Sequence, residues 1–431
     1  MGLEFEWTPQ QKVALEKVQT WLQSPDKQYF TLAGYAGTGK TTLAKYLAKG
    51  AGRVYFAAYT GKAAHVLHKS GAPNARTLHS LIYLPRDKCV QYFLDLKRQR
   101  EELSRRRPVP AKELAEIEKK ISREQRNINH PDFYVNPQSP LWEEADLIVV
   151  DEYSMVDEEM GVDLMAFGIP VLALGDPGQL PPVRDNGRCF FNGKPDVMLT
   201  EIVRQAEGNP IIKLSMGARQ GKWLPYGKHG SSRLVKKSLV GDAELQEILL
   251  SVDQLLVGEN VTRRQFNRYY RQILGRRAES DFVNPGGKVK ISRKYGHPVC
   301  LADLPVNGDK IICRRNNRDQ GLYNGQPWTI VAPVKDRGGK LELHLEDEDG
   351  RKYSCISHPH HFLGIEDNLD SFSRRDAEEF DFSYALTVHR SQGSQWNKVA
   401  LIDEWRWTET YRQWLYTGIT RAAESIIIFK R

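Results

Sequence analysis

Residues 34–41 read Gly34-Tyr35-Ala36-Gly37-Thr38-Gly39-Lys40-Thr41 and fill every fixed position of the phosphate-binding template G-x-x-x-x-G-K-[ST]. Glycines let such a loop curl until successive backbone N–H groups point inward at phosphate oxygens. Lys40 brings a cation to the β/γ-phosphates, and the Thr41 hydroxyl can ligate Mg²⁺. Tyr29-Phe30-Thr31-Leu32 reads as a short strand before the loop, and 41–49 as a helix whose N-terminus faces the anion. Strand, loop and helix stand in the required order, which leaves little room for a chance match on a flexible glycine-rich segment. The chain is expected to bind a nucleoside triphosphate, with Gly37, Thr38, Gly39, Lys40, Thr41 and Thr42 around its phosphates.

Length and composition set the bounds. A chain of 431 residues with 40% hydrophobic content suggests two to four domains with ample core. Its five cysteines (Cys89, Cys189, Cys300, Cys313, Cys355) are scattered, with no C-x-x-C pair and no zinc-ligand spacing, so reduced thiols in a cytosol-like compartment are expected. The N-terminus carries no charged-then-apolar signal pattern, and no window approaches the ~18 uninterrupted apolar residues of a membrane span. The expectation is a soluble cytoplasmic protein with no membrane contact. Lys+Arg 62 against Asp+Glu 54 gives +8 and a pI near 9.0, which suits a polyanionic partner.

A second half of the nucleotide site follows downstream. Leu147-Ile148-Val149-Val150 is an apolar run with two valines, read as a buried parallel strand, and it ends in Asp151-Glu152. A carboxylate at such a strand end can hold Mg²⁺, and its neighbour can take a proton from the attacking water. Asp151 is therefore assigned to the metal, with Thr41, and Glu152 to the base. A third strand, Val171-Leu172-Ala173-Leu174, runs into a Gly- and Pro-rich turn in which Gln179 could sense the γ-phosphate. Near the C-terminus, Leu415-Tyr416-Thr417-Gly418-Ile419-Thr420-Arg421 presents an arginine able to act across a cleft on the transferring phosphoryl group. Taken singly, an arginine at a helix end more often complements the helix dipole.

These motifs occur with Thr8-Pro9-Gln10-Gln11, Tyr59-Thr60-Gly61-Lys62-Ala63-Ala64, Thr77-Leu78-His79-Ser80, Leu199-Thr200-Glu201-Ile202-Val203-Arg204 and Tyr384-Ala385-Leu386-Thr387-Val388-His389-Arg390-Ser391-Gln392-Gly393. In that order, and spanning almost the whole chain, the set resembles a superfamily 1 helicase of the 5′-to-3′ branch that includes RecD-like and bacteriophage Dda-like members. The resemblance implies an α/β fold: two RecA-like parallel-sheet motor domains of the P-loop NTPase class, with ATP and Mg²⁺ in the cleft between them. It implies that Gln11 reads the adenine edge, that Gly393 belongs to the nucleotide site, and that Gln179, Arg204 and Arg421 meet the γ-phosphate. It places DNA contacts at Thr60, Lys62, Thr77 and His79 in the first motor domain and at Thr387 and His389 in the second. Gln395 departs from the pattern, standing where many relatives carry a ribose-binding glutamate. The implied activity is ATP-dependent DNA unwinding, 5′ to 3′, in replication, recombination or repair. Its implied partners are single-stranded and forked DNA, with replication or recombination proteins, and the chain is expected to act as a monomer in a bacterial or phage-infected cytoplasm. An RNA translocase of the same superfamily, a motor subunit of a RecD-type nuclease complex and a regulatory P-loop module are the alternatives. The last is disfavoured by Glu152 and the arginines.

The motifs divide the chain. Motor domain 1 is expected at 1–83 and 141–200, motor domain 2 at 201–285 and 373–431. The interruption at 84–140 carries Phe93, Leu96 and Leu103 as one apolar stripe and Leu114, Ile117, Ile121 and Ile128 as another, both at helical spacing, with Arg107-Pro108-Val109-Pro110 between them. This predicts an antiparallel helical hairpin. It holds thirteen basic and nine acidic residues, a balance of +4 that is half the chain's net charge and is consistent with phosphate contact. In relatives a strand-separating wedge stands here. Between 286 and 372 short alternating segments such as Lys310-Ile311-Ile312-Cys313 and Trp328-Thr329-Ile330-Val331 predict a small β-barrel, with a hairpin-type turn at Asn324-Gly325. Gln254-Leu255-Leu256-Val257 predicts a strand of the second motor domain and 263–274 a basic helix. His358, His360 and His361 read as a surface loop, having no cysteine to complete a metal site.

Overall fold

The computed structural model describes residues 7–72, 74–85, 90–105, 110–129, 133–182, 188–201, 208–276, 291–292, 299–317, 320–364, 377–404 and 410–430. The first half is built on a six-stranded parallel sheet whose order is Arg76–Thr77, Val54–Ala58, Leu147–Asp151, Val171–Gly175, Tyr29–Gly34, Val197–Leu199. Its central strands are apolar runs because helices cover both faces, so no residue can face water. Ala58 pairs with Asp151 and Ala33 with Gly175, which brings the carboxyl ends of four strands to one edge. Functional loops of open parallel sheets leave from that edge, and here 34–41, 59–62, 151–152 and 175–180 all do.

A second six-stranded sheet runs Ala385–Thr387, Gln254–Val257, Trp396–Ile402, Ala422–Lys430, Ser232–Lys236, Gly227–His229, parallel except for the last pair. The expected basic helix covers it as Asn260–Ile273, and its arginines are not simply solvated. Arg263 and Arg271 are each 1% exposed or less and are paired with Asp381 and Asp309. Two parallel sheets, each backed by helices, make the expected fold class the observed one.

The barrel is closed. Pro327–Ile330, Lys310–Cys313, Glu378–Phe382, Lys352–His358 and Lys340–Glu346 pair in a ring, the last strand returning to the first, with Lys335–Arg337 added outside. One strand of the ring, Glu378–Phe382, lies beyond residue 372. Trp328, Leu343, Phe380 and Phe382 fill it, and they share one apolar cluster with Leu255, Val257 and Ala400 of the second sheet. The barrel is thereby fused to the second motor unit rather than tethered. The residues linking its first two strands exceed a tight hairpin. A turn closes from the Gln326 N–H to the Tyr323 carbonyl at 3.0 Å, with Gly325 at φ 86° and Asn324 outside the left-handed region, so it is not the primed turn that Asn-Gly favours in two-residue hairpins. The histidines correct their surface-loop reading. His358 and His361 are each 4% exposed, and His361 Nε2 lies 2.8 Å from Glu379. Among the described residues no group of three or more His, Cys, Asp or Glu could hold a metal ion, and no helix is long and apolar enough to cross a membrane.

The insertion in the first unit rises from a two-stranded antiparallel stem, Tyr83–Pro85 with Phe133–Val135, and continues as helices Val90–Arg105 and Ala111–Asn129. Leu96 and Leu103 are buried while Leu114, Ile117 and Ile121 are half-buried, so the two stripes face each other, and Arg100 pairs with Glu118 across the helices at 3.1 Å. The break residues 106–109 and the Phe93 and Ile128 side chains lie outside the described residues.

Candidate nucleotide and nucleic-acid site

The loop 34–41 leaves the strand Tyr29–Gly34 and enters the helix Lys40–Ala48 through Gly39, which caps the helix at φ 80°. A side chain at that φ would be strained, and a Cβ on Gly34 would lie 2.6 Å from the Thr38 hydroxyl. Lys40 Nζ donates to the loop's own carbonyls, Gly34 at 2.6 Å and Tyr35 at 3.1 Å. The Thr38 side chain is turned inward, its hydroxyl donating to Tyr35 O at 2.8 Å, and Thr42 is exposed. Gln11 is 5% exposed, and its amide is committed. Nε2 donates to Thr38 O at 2.9 Å, while Oε1 accepts the Thr8 N–H as half of a capping box. Gln11 therefore braces the phosphate loop from behind.

Thr41 Oγ1 donates to Asp151 Oδ2 at 3.1 Å, so the two residues assigned to Mg²⁺ touch. Burial, with Glu152 beside it, pushes the Asp151 carboxyl up to about 6. Charge crowded in this way is what a hard divalent cation relieves, and the donors are the oxygens Mg²⁺ prefers. The residues present fit that ion. Glu152 sits at φ 58°, ψ 48°, in the left-handed region that costs an ordinary side chain of order 1–3 kcal/mol and is concentrated at active sites. Gln179 is buried, with an Oε1 that has no hydrogen-bond partner.

The two units meet at this edge. Tyr416, on the helix Tyr411–Ile419 of the second unit, accepts the Ala36 N–H at 3.2 Å and donates to the fully buried Asp176 carboxylate. Leu180 N–H donates to Thr417 Oγ1 at 3.0 Å, and Gln392 Nε2 donates back to Leu180 O at 3.1 Å. Arg421 is not extended towards the loop. It is 6% exposed, with Nε on Thr417 O, Nη1 on Ser394 O and Nη2 on Thr420 Oγ1, all in its own unit. Arg204 lies outside the described residues.

The residues assigned to DNA form two groups. Thr60 caps the helix Gly61–Lys69 by accepting the Ala63 N–H at 3.2 Å, and it faces Gly393, where a Cβ would stand 3.0 Å from the Thr60 hydroxyl. Lys62 lies over the Trp396 ring at 5.2 Å, and burial lowers its pKa. Thr387 accepts the Arg390 N–H at 3.3 Å, and burial lowers the pKa of neighbouring His389. Thr77 is buried with an unpartnered hydroxyl, and the His79 ring lies between Tyr59 and Tyr83 at 5.7 and 5.8 Å. A groove of about 470 Å³ runs beside Thr77, lined also by His65, Arg76, Asn316 and Tyr323. Sequence reasoning missed Tyr416, Asp176 and Gln392 as cross-unit contacts. Tyr416 and Gln392 stood inside quoted motifs and Asp176 in the Gly- and Pro-rich turn after the third strand, but nothing in a lone tyrosine, glutamine or aspartate announces a partner in another domain.

Residues 6–233 match the family described as AAA domain, and residues 382–429 match the UvrD-like helicase C-terminal domain. The chain is 28% identical over 297 residues to the ATP-dependent RecD2 DNA helicase of Deinococcus radiodurans, an overlap of 65% of this chain and 35% of that protein. It is 25% identical over 239 residues to the ATP-dependent DNA helicase dda of Enterobacteria phage T4, covering 52% and 45% of the two. The chain thus spans roughly a third to a half of the length of these curated relatives. Its fold is similar to that of the Bacteroides Pif1 helicase in complex with ADP-AlF3 and ssDNA, with TM-score 0.55, 18% identity and coverage of 99% of this chain and 92% of that one. With the AAA-domain match over more than half its length and the helicase C-terminal match within the second unit, the chain belongs to the superfamily 1 helicases of the RecD and Dda type.

Proposed function

We propose that this chain is an ATP-driven DNA helicase that moves 5′ to 3′ on single-stranded DNA and parts the duplex ahead of it. The observation that carries the reading is the seam between the units, where Ala36 of the phosphate loop and Asp176 both bond Tyr416 of the second unit. A nucleotide seated on 34–41 lies where the two units touch, so its binding and loss change how they fit together.

In this reading Lys40 leaves the Gly34 and Tyr35 carbonyls for the β/γ-phosphates. Thr41 and Asp151 would hold Mg²⁺, which when bound neutralises phosphate charge. A water oxygen adds to the γ-phosphorus, the bond to the β–γ bridging oxygen breaks, and Glu152 takes the water's proton. Gln179 meets the γ-phosphate, and Arg204 and Arg421 turn to it as the units shut. Thr60, Lys62, Thr77 and His79 grip the strand from the first unit, Thr387 and His389 from the second, and alternating grip becomes a step. The domain divisions at 83, 140, 200, 285 and 372 belong to the same proposal, with the barrel taking the ring strand Glu378–Phe382 from beyond the last of them, as does action as a monomer in the cytoplasm on replication, recombination or repair intermediates.

The test is unwinding of paired duplexes bearing only a 5′ or only a 3′ single-stranded tail, with ATPase stimulation by single-stranded DNA and RNA measured alongside. Efficient opening of the 3′-tailed duplex alone reverses the polarity. Stimulation by RNA alone replaces the substrate.

A further inference from the structure

The helix Pro210–Arg219 is seated firmly in the second unit. Asn209 Oδ1 caps it at the Ile211 N–H, 2.9 Å, Pro210 opens it, and Ile211, Leu214 and Ala218 are buried against the helix Tyr411–Ile419 and the strand Ala422–Lys430. Its last residue, Arg219, does not turn to solvent as a dipole-complementing arginine would. Its guanidinium carbon lies 3.3 Å from the centroid of the Tyr35 ring, over a residue of the phosphate loop in the other unit. Its Nη1 is buried and has no hydrogen-bond partner. A guanidinium is always charged and carries five donors in a rigid fork, so a buried arm left unmade marks a place for an acceptor that arrives later.

The surroundings say which acceptor. Tyr35 is flanked by two cations, Arg219 on its ring and Lys40 on its carbonyl. Asp176, the nearby carboxylate, is already bonded by Tyr416 and by the Gly178 N–H at 2.9 Å, and Asp151 accepts from the Thr41 hydroxyl. Burial and Asp176 push the Tyr416 hydroxyl far up, keeping it neutral, while the Arg219 charge acts the other way. Arg421, one of the two arginines the sequence singled out for the γ-phosphate, has its three nitrogens bonded within its own unit.

We propose that Arg219 is a further cation the second unit contributes to the terminal phosphate of the bound nucleotide, beside those at Arg204 and Arg421, reaching it past Tyr35. This rests on the reading of 34–41 as a triphosphate site. Arg219 would then be a catalytic residue, stabilising charge on the transferring phosphoryl group, and its stacking on Tyr35 is the resting position from which the fork engages.

The test uses the full chain and a fluorescent ADP, titrated with and without aluminium fluoride, which mimics the transferring phosphoryl group. Wild type is expected to bind ADP and to hold it more tightly with the fluoride. Arg219→Gln should keep the ADP affinity and the melting temperature, lose the fluoride-dependent tightening, and lose about a hundredfold or more in DNA-stimulated kcat. Arg219→Lys, which keeps a charge without the fork, should regain part of both. If Arg219→Gln retains the tightening, the assignment is overturned. It is overturned equally if ADP affinity and melting temperature fall together in both variants, since Arg219 is then a clip that holds Tyr35. Failure of the wild type to bind ADP at all would instead remove the triphosphate reading beneath it.

Discussion

The hydroxyl of Tyr416 lies 3.2 Å from the backbone nitrogen of Ala36, a bond between residues 380 apart in sequence. The same oxygen donates to Asp176, so one side chain of the second unit satisfies two groups of the first. Tyr416→Phe removes both bonds while keeping the ring, leaving the buried Asp176 carboxylate with its Gly178 N–H partner. An unsatisfied buried polar group costs about 1–3 kcal/mol. Thermal unfolding of the full chain should register a loss of that size, and DNA-stimulated turnover should fall with it. Unchanged melting and turnover would mean that the bond breaks freely and the seam is held elsewhere.

The phosphate loop itself is tested by Lys40→Ala and Glu152→Gln. The first removes the cation of the loop, and turnover should drop by about a hundredfold or more. The second keeps an oxygen able to hold water but unable to accept its proton, so ATP binding should persist without turnover. Nucleotide binding by fluorescence and phosphate release separate the two. Substantial turnover in the Lys40 variant would falsify the loop assignment. Collapse of ATP affinity in the Glu152 variant, with normal turnover per bound ATP, would move the base elsewhere.

Much of this was legible in the sequence because the chemistry is local. A loop that curls around phosphate needs Gly37 and Gly39 at positive φ, and a buried parallel strand ending in Asp151 needs an unbroken apolar run, so neighbouring residues carry the signal. The hairpin was legible because the Leu96 and Leu103 stripe and the Leu114, Ile117 and Ile121 stripe repeat at helical spacing. What was not legible is pairing at a distance. Glu378–Phe382, with three acids among five residues, looks unlike a barrel strand, and it is buried only because Glu378, Glu379 and Asp381 find partners on other elements. The burial of His361 depends in the same way on Glu379. Arg219 and Arg421 differ in what holds them, the Tyr35 ring for one and the Thr417 and Ser394 carbonyls for the other, which no spacing records.

Asp381 is the next test, because it joins three elements. Its carboxylate lies 2.6 Å from Arg263 on the basic helix, 3.3 Å from Arg314 at the end of a barrel strand and 3.5 Å from Arg390 in the 384–393 motif, and it is itself 3% exposed. Asp381→Asn leaves buried guanidinium groups facing a neutral amide, which should cost about 3–5 kcal/mol. A shifted urea midpoint with unchanged slope checks this. The double variant Asp381→Leu with Arg263→Met should recover part of the loss. A cost below about 1 kcal/mol, the scale of an exposed pair, would show that these arginines are held by their other contacts.

The inserted hairpin allows a test that separates motor from wedge. Its stem, Tyr83–Pro85 with Phe133–Val135, is antiparallel and already brings the two ends together, and its helices bury their apolar stripes against each other. Removing residues 90–129 and closing the stem with a short Gly-Ser linker should therefore leave the first sheet and the phosphate loop intact. With a +4 balance over 84–140, the hairpin suits a nucleic-acid surface better than an acidic protein partner. If it parts the duplex or supports the part that does, the deletion should spare DNA-stimulated ATPase and movement along single strands while duplex opening per ATP falls steeply. Raising salt should weaken forked-DNA binding less in the deletion than in wild type, because fewer counterions are released per complex. Equal unwinding per ATP in the two proteins would instead assign the hairpin to a docking or solvated role and place the separating element elsewhere on the motor.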